Sequence, residues 1–111
     1  MVFRSVLACL LVLPSVAAAQ QRHAVEGTIG SINSKIAAEL TFVNQSGRTI
    51  KVYWLDYGGT RKHYRTLAKG ESYVQQTFVS HPWVVTDEDD NAWYVYFPEG
   101  QPRTILIAPP H

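Results

Sequence analysis

From Ala38 onward the chain is a succession of short β-branched and aromatic runs, each closed by glycine, proline, serine, asparagine or aspartate, and this rhythm restricts it to an all-β fold. The runs are Glu39 to Asn44, Thr49 to Tyr57, Lys62 to Leu67, Ser72 to Phe78, Trp83 to Asp87, Ala92 to Phe97 and Thr104 to Ala108. Alternation is clearest where Ile50, Val52 and Trp54 oppose Lys51, Tyr53 and Leu55, and where Trp93, Val95 and Phe97 oppose Tyr94 and Tyr96. Turn chemistry separates them at Ser46-Gly47, Gly58-Gly59, Lys69-Gly70, Asp89-Asp90-Asn91 and Pro98-Glu99-Gly100. No helical period of useful length interrupts the pattern. The expectation is a single β-sandwich over residues 38–108, with 109–111 as a tail.

What precedes the sandwich reads differently. Arg4, the apolar run Val6 to Leu13 and Ala17-Ala18-Ala19 have the order of a secretory signal peptide, so residues 1–19 are expected to be removed. The apolar run is too short for a membrane span of roughly 20 residues. Cys9 lies inside it with Leu10 to Leu13 still to follow, which argues against a lipid anchor, and the mature chain then has no cysteine. Disulfides, thiolate chemistry and cysteine-based zinc sites are excluded with it, so stability rests on the core. Residues 20–37 are polar and small and are expected to form a flexible leader or a loosely attached edge segment.

Loss of Arg4 takes the formal charge from +1 to zero. That balance does not suit an electrostatic nucleic-acid binder, and no nucleic-acid partner is expected. Basic residues gather between Arg61 and Lys69, either as a rim beside a site or as a solvated edge that discourages sheet-to-sheet pairing. The acidic run Asp87 to Asp90 reads as a strand-connecting turn, since it lacks the glycine and final glutamate of an EF-hand loop.

Chemistry concentrates in Trp54, Tyr64, Thr77, His81 and Trp83. Three aromatics on consecutive short strands can wall an apolar slot for a flat ring, while a hydroxyl and an imidazole stand at its floor. Each also has an ordinary structural role. Trp54 shares a face with Ile50 and Val52 and reads equally as core, Trp83 follows Pro82 and reads as a sandwich-rim residue, and Tyr64 can simply cover a hairpin. Thr77 suits a strand end, and a lone histidine such as His81 is most often a surface group.

The order of these residues resembles the von Hippel-Lindau β-domain family. The matching frame opens at Phe42-Val43-Asn44-Gln45-Ser46-Gly47-Arg48 and passes through Trp54-Leu55-Asp56-Tyr57-Gly58-Gly59 and Tyr64-Arg65-Thr66-Leu67. It ends at Thr77-Phe78-Val79-Ser80-His81-Pro82-Trp83, with no gap from Trp54 to Trp83. The resemblance implies a seven-stranded β-sandwich, which the seven runs fit. It also implies a hydroxyproline pocket in which Thr77 and His81 stand where the family uses a serine and a histidine to pair with the ring hydroxyl. Phe78 fills a family tyrosine position and loses its phenol. Gln76 replaces a histidine, and Thr60-Arg61-Lys62-His63 replaces a proline-rich, less basic turn. The chain closes at His111, without the length for the family's helical domain, so no elongin or ubiquitin-ligase partner is expected.

The expected activity is therefore a secreted or periplasmic module that binds hydroxyproline- or proline-containing peptides through Trp54, Tyr64, Thr77, Phe78, His81 and Trp83, without cofactor or metal. The competing expectation is a structural or self-associating interaction sandwich that presents exposed Tyr94 and Tyr96. Catalysis is not expected. Ser80 and His81 are strand neighbours facing opposite ways, and His63, His81 and the acidic run have no HExxH-like spacing.

Overall fold

A computed structural model describes residues 21–110; the expected signal peptide, Gln20 and His111 lie outside the described residues. The chain is all-β, with β1 (Ala37–Asn44), β2 (Ile50–Leu55), β3 (Arg61–Leu67), β4 (Ser72–Phe78), β5 (Trp83–Asp87), β6 (Ala92–Tyr96) and β7 (Arg103–Ile107). They form two sheets, one ordered β4-β1-β7 and the other β3-β2-β5-β6. All pairings are antiparallel except β1 with β7. The seven-stranded sandwich is therefore the fold.

Period-two alternation decides which residues enter the core. Leu40 and Phe42 of β1, Ile50 and Val52 of β2, Leu67, Trp83, Val85, Ile105 and Ile107 meet between the sheets. Trp83, which from its place after Pro82 reads as a rim residue, is only 2% exposed and touches Phe42 at 6.3 Å between ring centroids. Tyr94 and Tyr96 also differ from the expectation of an exposed face. Both pack against the core cluster, with Tyr96 edge-on to Phe42 and the Tyr94 hydroxyl donating to the Ala108 carbonyl. Strand β6 is the last strand of its sheet, so its tyrosines fold over the sandwich margin to cover the core.

The Asn44-to-Arg48 turn is tied by one buried side chain. Asn44 Nδ2 donates to the carbonyls of Arg48, Leu67 and Ala68, while its Oδ1 accepts from the Ser46 amide and hydroxyl. A fully buried asparagine is tolerable because its hydrogen-bonding groups find partners. Its place in the sequence frame is thus structural, distant from the aromatic site.

Residues 21–36, expected as a flexible leader or a loosely attached edge segment, form no strand and are hydrogen bonded to the sandwich. The Gln21 carbonyl accepts from the Ala92 amide, and the Ser31 amide donates to the Asp56 carbonyl. The Ile32 amide donates to Ser80 O and the Val79 amide to Ile36 O. Glu26 pairs with Arg61 at 2.8 Å. Leu55 and Val84 explain the attachment. Both are fully buried, yet alternation puts them on the outer face of their sheet, away from the main core cluster. The leader lies over that face and removes it from water.

Candidate functional site

An irregularity in β3 builds the site. Arg65 stands opposite Val52 and His63 opposite Tyr53, so the register passes over Tyr64. This is a β-bulge, one extra residue that bends a strand and re-aims its side chain. The Tyr64 ring thereby reaches the end of the sandwich, 4.9 Å from Trp83 and 6.3 Å from Trp54, edge-on to both. Trp54 and Trp83 are direct cross-strand partners on β2 and β5. Three aromatics from three adjacent strands thus form the walls of one recess.

The recess has a volume of about 240 Å³ and is lined by all six residues singled out in the sequence, Trp54, Tyr64, Thr77, Phe78, His81 and Trp83, together with Tyr57 and Gln76. Drug-sized ligands generally occupy about 300 to 1,000 Å³. This one has the scale of a single ring or side chain. A larger cavity of about 590 Å³ lies between the leader and the β2–β3 turn, where two of its three charged lining residues, Glu26 and Arg61, already pair with each other.

The polar floor is set by buried hydrogen bonds. Thr77 is 6% exposed, and its Oγ1 accepts from the Trp83 indole N–H at 3.0 Å. That contact leaves the threonine O–H free to donate. His81 is also 6% exposed and lies among three rings, with centroids 5.5 Å from those of Trp54, Tyr57 and Phe78. Burial pushes the imidazole below its ordinary range, opposed in part by a backbone hydrogen bond with Ile32, so near neutral pH it is uncharged and keeps a lone pair on one ring nitrogen. Ser80, with φ of 77°, turns the chain so that His81 follows β4 directly into the recess.

Two contributors were not singled out in the sequence. Tyr57 lines the recess and brings its hydroxyl within 3.4 Å of His81 Nε2. Ser31, from the leader, accepts the Trp54 indole N–H at 2.7 Å and donates to the Leu55 carbonyl at 2.6 Å. The two indole N–H groups of the recess walls are therefore each held by a hydroxyl, which fixes both planes. Tyr57 closes the run from Thr49 and stands in the Trp54–Gly59 element without being read as a site residue, while Ser31 lies in the polar segment read as a leader or edge.

Among the described residues no group of three histidine, cysteine, aspartate or glutamate side chains converges as a metal site, and no helix is long and apolar enough to cross a membrane. Residues 29–104 match the family model of the VHL beta domain. The matched span starts within the leader, just before Ser31, and takes in every wall and floor residue of the recess, and the chain belongs to the VHL β-domain family.

Proposed function

We propose that this protein is a peptide-recognition module that binds a hydroxyproline-containing segment, with the pyrrolidine ring between Trp54, Tyr64 and Trp83 and the ring hydroxyl between Thr77 and His81. The observation that carries the reading is the hydrogen-bond state of Thr77. Its oxygen is engaged by Trp83 while its O–H meets no acceptor among the described residues, beside an imidazole that burial keeps neutral. An alcohol satisfies both at once, accepting from Thr77 and donating to His81. Unmodified proline can do neither.

Burial of the ring contributes affinity with little selectivity. Selectivity arises because displacing water from Thr77 and His81 without replacing its hydrogen bonds leaves buried polar groups unpaired. Phe78 supplies apolar surface where a phenol would add another bond, so the ring hydroxyl carries more of the discrimination. Strands β3 and β4 are the outer strands of their sheets and both border the recess, which favours an extended peptide adding main-chain bonds along a free edge. The signal-peptide-like order of residues 1–19 supports export of this activity, to a periplasm or beyond the cell.

Calorimetric titration with paired peptides differing only in proline or 4-hydroxyproline tests the reading. Saturable binding of the hydroxylated peptide is expected, weakened at least tenfold in Trp54→Ala, Thr77→Val and His81→Ala. Equal affinity across all three variants would reject it.

A further inference from the structure

The cations of β3 flank the recess without lining it, and they differ in what holds them. Arg61 is committed to Glu26 through two nitrogens and to the Asp90 carbonyl through a third. Lys62 lies 3.9 Å from Asp56. Arg65 is exposed, and among the described residues no carboxylate lies within ion-pair distance of it. Its guanidinium carbon sits 4.3 Å from the centroid of the Tyr73 ring, so the side chain is held across the gap between β3 and β4.

We propose that Arg65 is an acidic-residue subsite of the peptide groove, and that the bound segment carries an aspartate or glutamate about four residues from its proline; this rests on the reading of the recess given above. The spacing follows from β4. Tyr73 and Thr77 both point inward, since the strand alternates between half-buried or buried and exposed positions from Ser72 to Thr77. At about 3.3 Å per residue they stand roughly 13 Å apart along the strand. An extended ligand beside β4 has the same rise and the same alternation. A residue four positions from the one in the Thr77 pocket therefore lies beside Tyr73, on the same face, under the guanidinium.

Among the described residues no ion-pair partner competes with a ligand carboxylate for this guanidinium. Glu71 and Glu39, on or beside the same sheet, have an oxygen engaged by the Ala68 amide and by Gln76 Nε2 respectively. The tyrosine ring restrains Arg65 before any ligand arrives, which lowers the ordering cost of a planar, two-point contact with a carboxylate.

The test uses hydroxyproline peptides of neutral composition with a single Asp or Asn placed four residues before or after the ring. Binding to the unmodified protein, Arg65→Gln and Lys62→Gln is measured at low and high salt. For one of the two placements, Asp is expected to bind about two- to fivefold more tightly than Asn, the range of a partly exposed ion pair. The advantage should shrink with salt, vanish in Arg65→Gln and persist in Lys62→Gln. Neutral peptides that bind with no Asp advantage at either placement overturn the Arg65 subsite alone. So does an advantage that survives in Arg65→Gln. Failure of every hydroxyproline peptide to bind overturns the recess reading and the subsite together.

Discussion

Thr77 holds the Trp83 indole through the same hydroxyl that the proposed ligand would contact, so its substitutions separate the two roles. Thr77→Val keeps the shape but leaves the Trp83 indole N–H, now accepted at 3.0 Å, buried without an acceptor. Such an orphan costs about 1–3 kcal/mol. Thr77→Ser retains the oxygen and should preserve both stability and hydroxyproline preference, whereas Thr77→Val should lower stability in chemical denaturation by that amount and bring the affinities for proline and hydroxyproline peptides together. An unaltered denaturation midpoint in Thr77→Val would show that the indole N–H finds another acceptor. The identities of Trp54, Tyr64, Thr77, His81 and Trp83 were legible in the sequence because their order matches a family frame. Their burial was not. Nothing local distinguishes Trp83 at a rim from Trp83 at 2% exposure, since that depends on Phe42, 41 positions earlier, reaching across the sandwich.

At the level of elements, the strand runs were readable because each carries its own alternation and its own turn residues. Those runs match β1 to β7 to within a few residues at each boundary. The bulge at Tyr64 was not readable, because a bulge is a relation between two strands and β3 alone has no periodic apolar face, exposing every residue from Lys62 to Thr66. The β2–β3 turn shows a further long-range constraint. Gly59 adopts φ of 81°, and a Cβ there would lie 2.9 Å from the Ile29 carbonyl oxygen of the leader. Gly47 has nearly the same φ, 78°, but open space where a Cβ would go. Left-handed backbone costs an L-residue roughly 1–2 kcal/mol. Gly47→Ala should therefore lose about that much, while Gly59→Ala should lose more and also push the leader off the hairpin. Thermal melts measure the first difference, and limited proteolysis within residues 21–36 measures the second. Equal losses with no new cleavage would mean that the leader does not bear on this turn.

The molecule as a whole couples a segment of loop-like composition to the site, and the coupling has a pH signature. The leader supplies Glu26, whose carboxyl burial alone would raise. The hydrogen bonds and charge of Arg61, with the His23 backbone N–H, outweigh burial and hold it below the usual carboxylate range. Asp90 behaves alike, with burial opposed by hydrogen bonds from Tyr53 and Lys51. His81 is held below its ordinary value near 6.5 by burial. For His81 the unfolded chain binds more protons than the folded one between the folded and ordinary values, so stability falls as pH drops below about 6.5 and levels off at the folded value. For the two carboxylates stability is complete above their ordinary range near 4 and is lost as pH falls through their depressed folded values. Acidification is thus expected to weaken the fold in two successive windows. Denaturation midpoints measured near pH 7.5, 5.5 and 3 resolve them. His81→Phe should flatten the upper window and keep the lower one, and Glu26→Gln should diminish the lower window and keep the upper. Because His81 charges only at the end of its own window, hydroxyproline binding should persist into mild acid and fail as the imidazole protonates. Loss of binding already at pH 7 with stability intact would mean that the histidine is not kept neutral by burial in this recess.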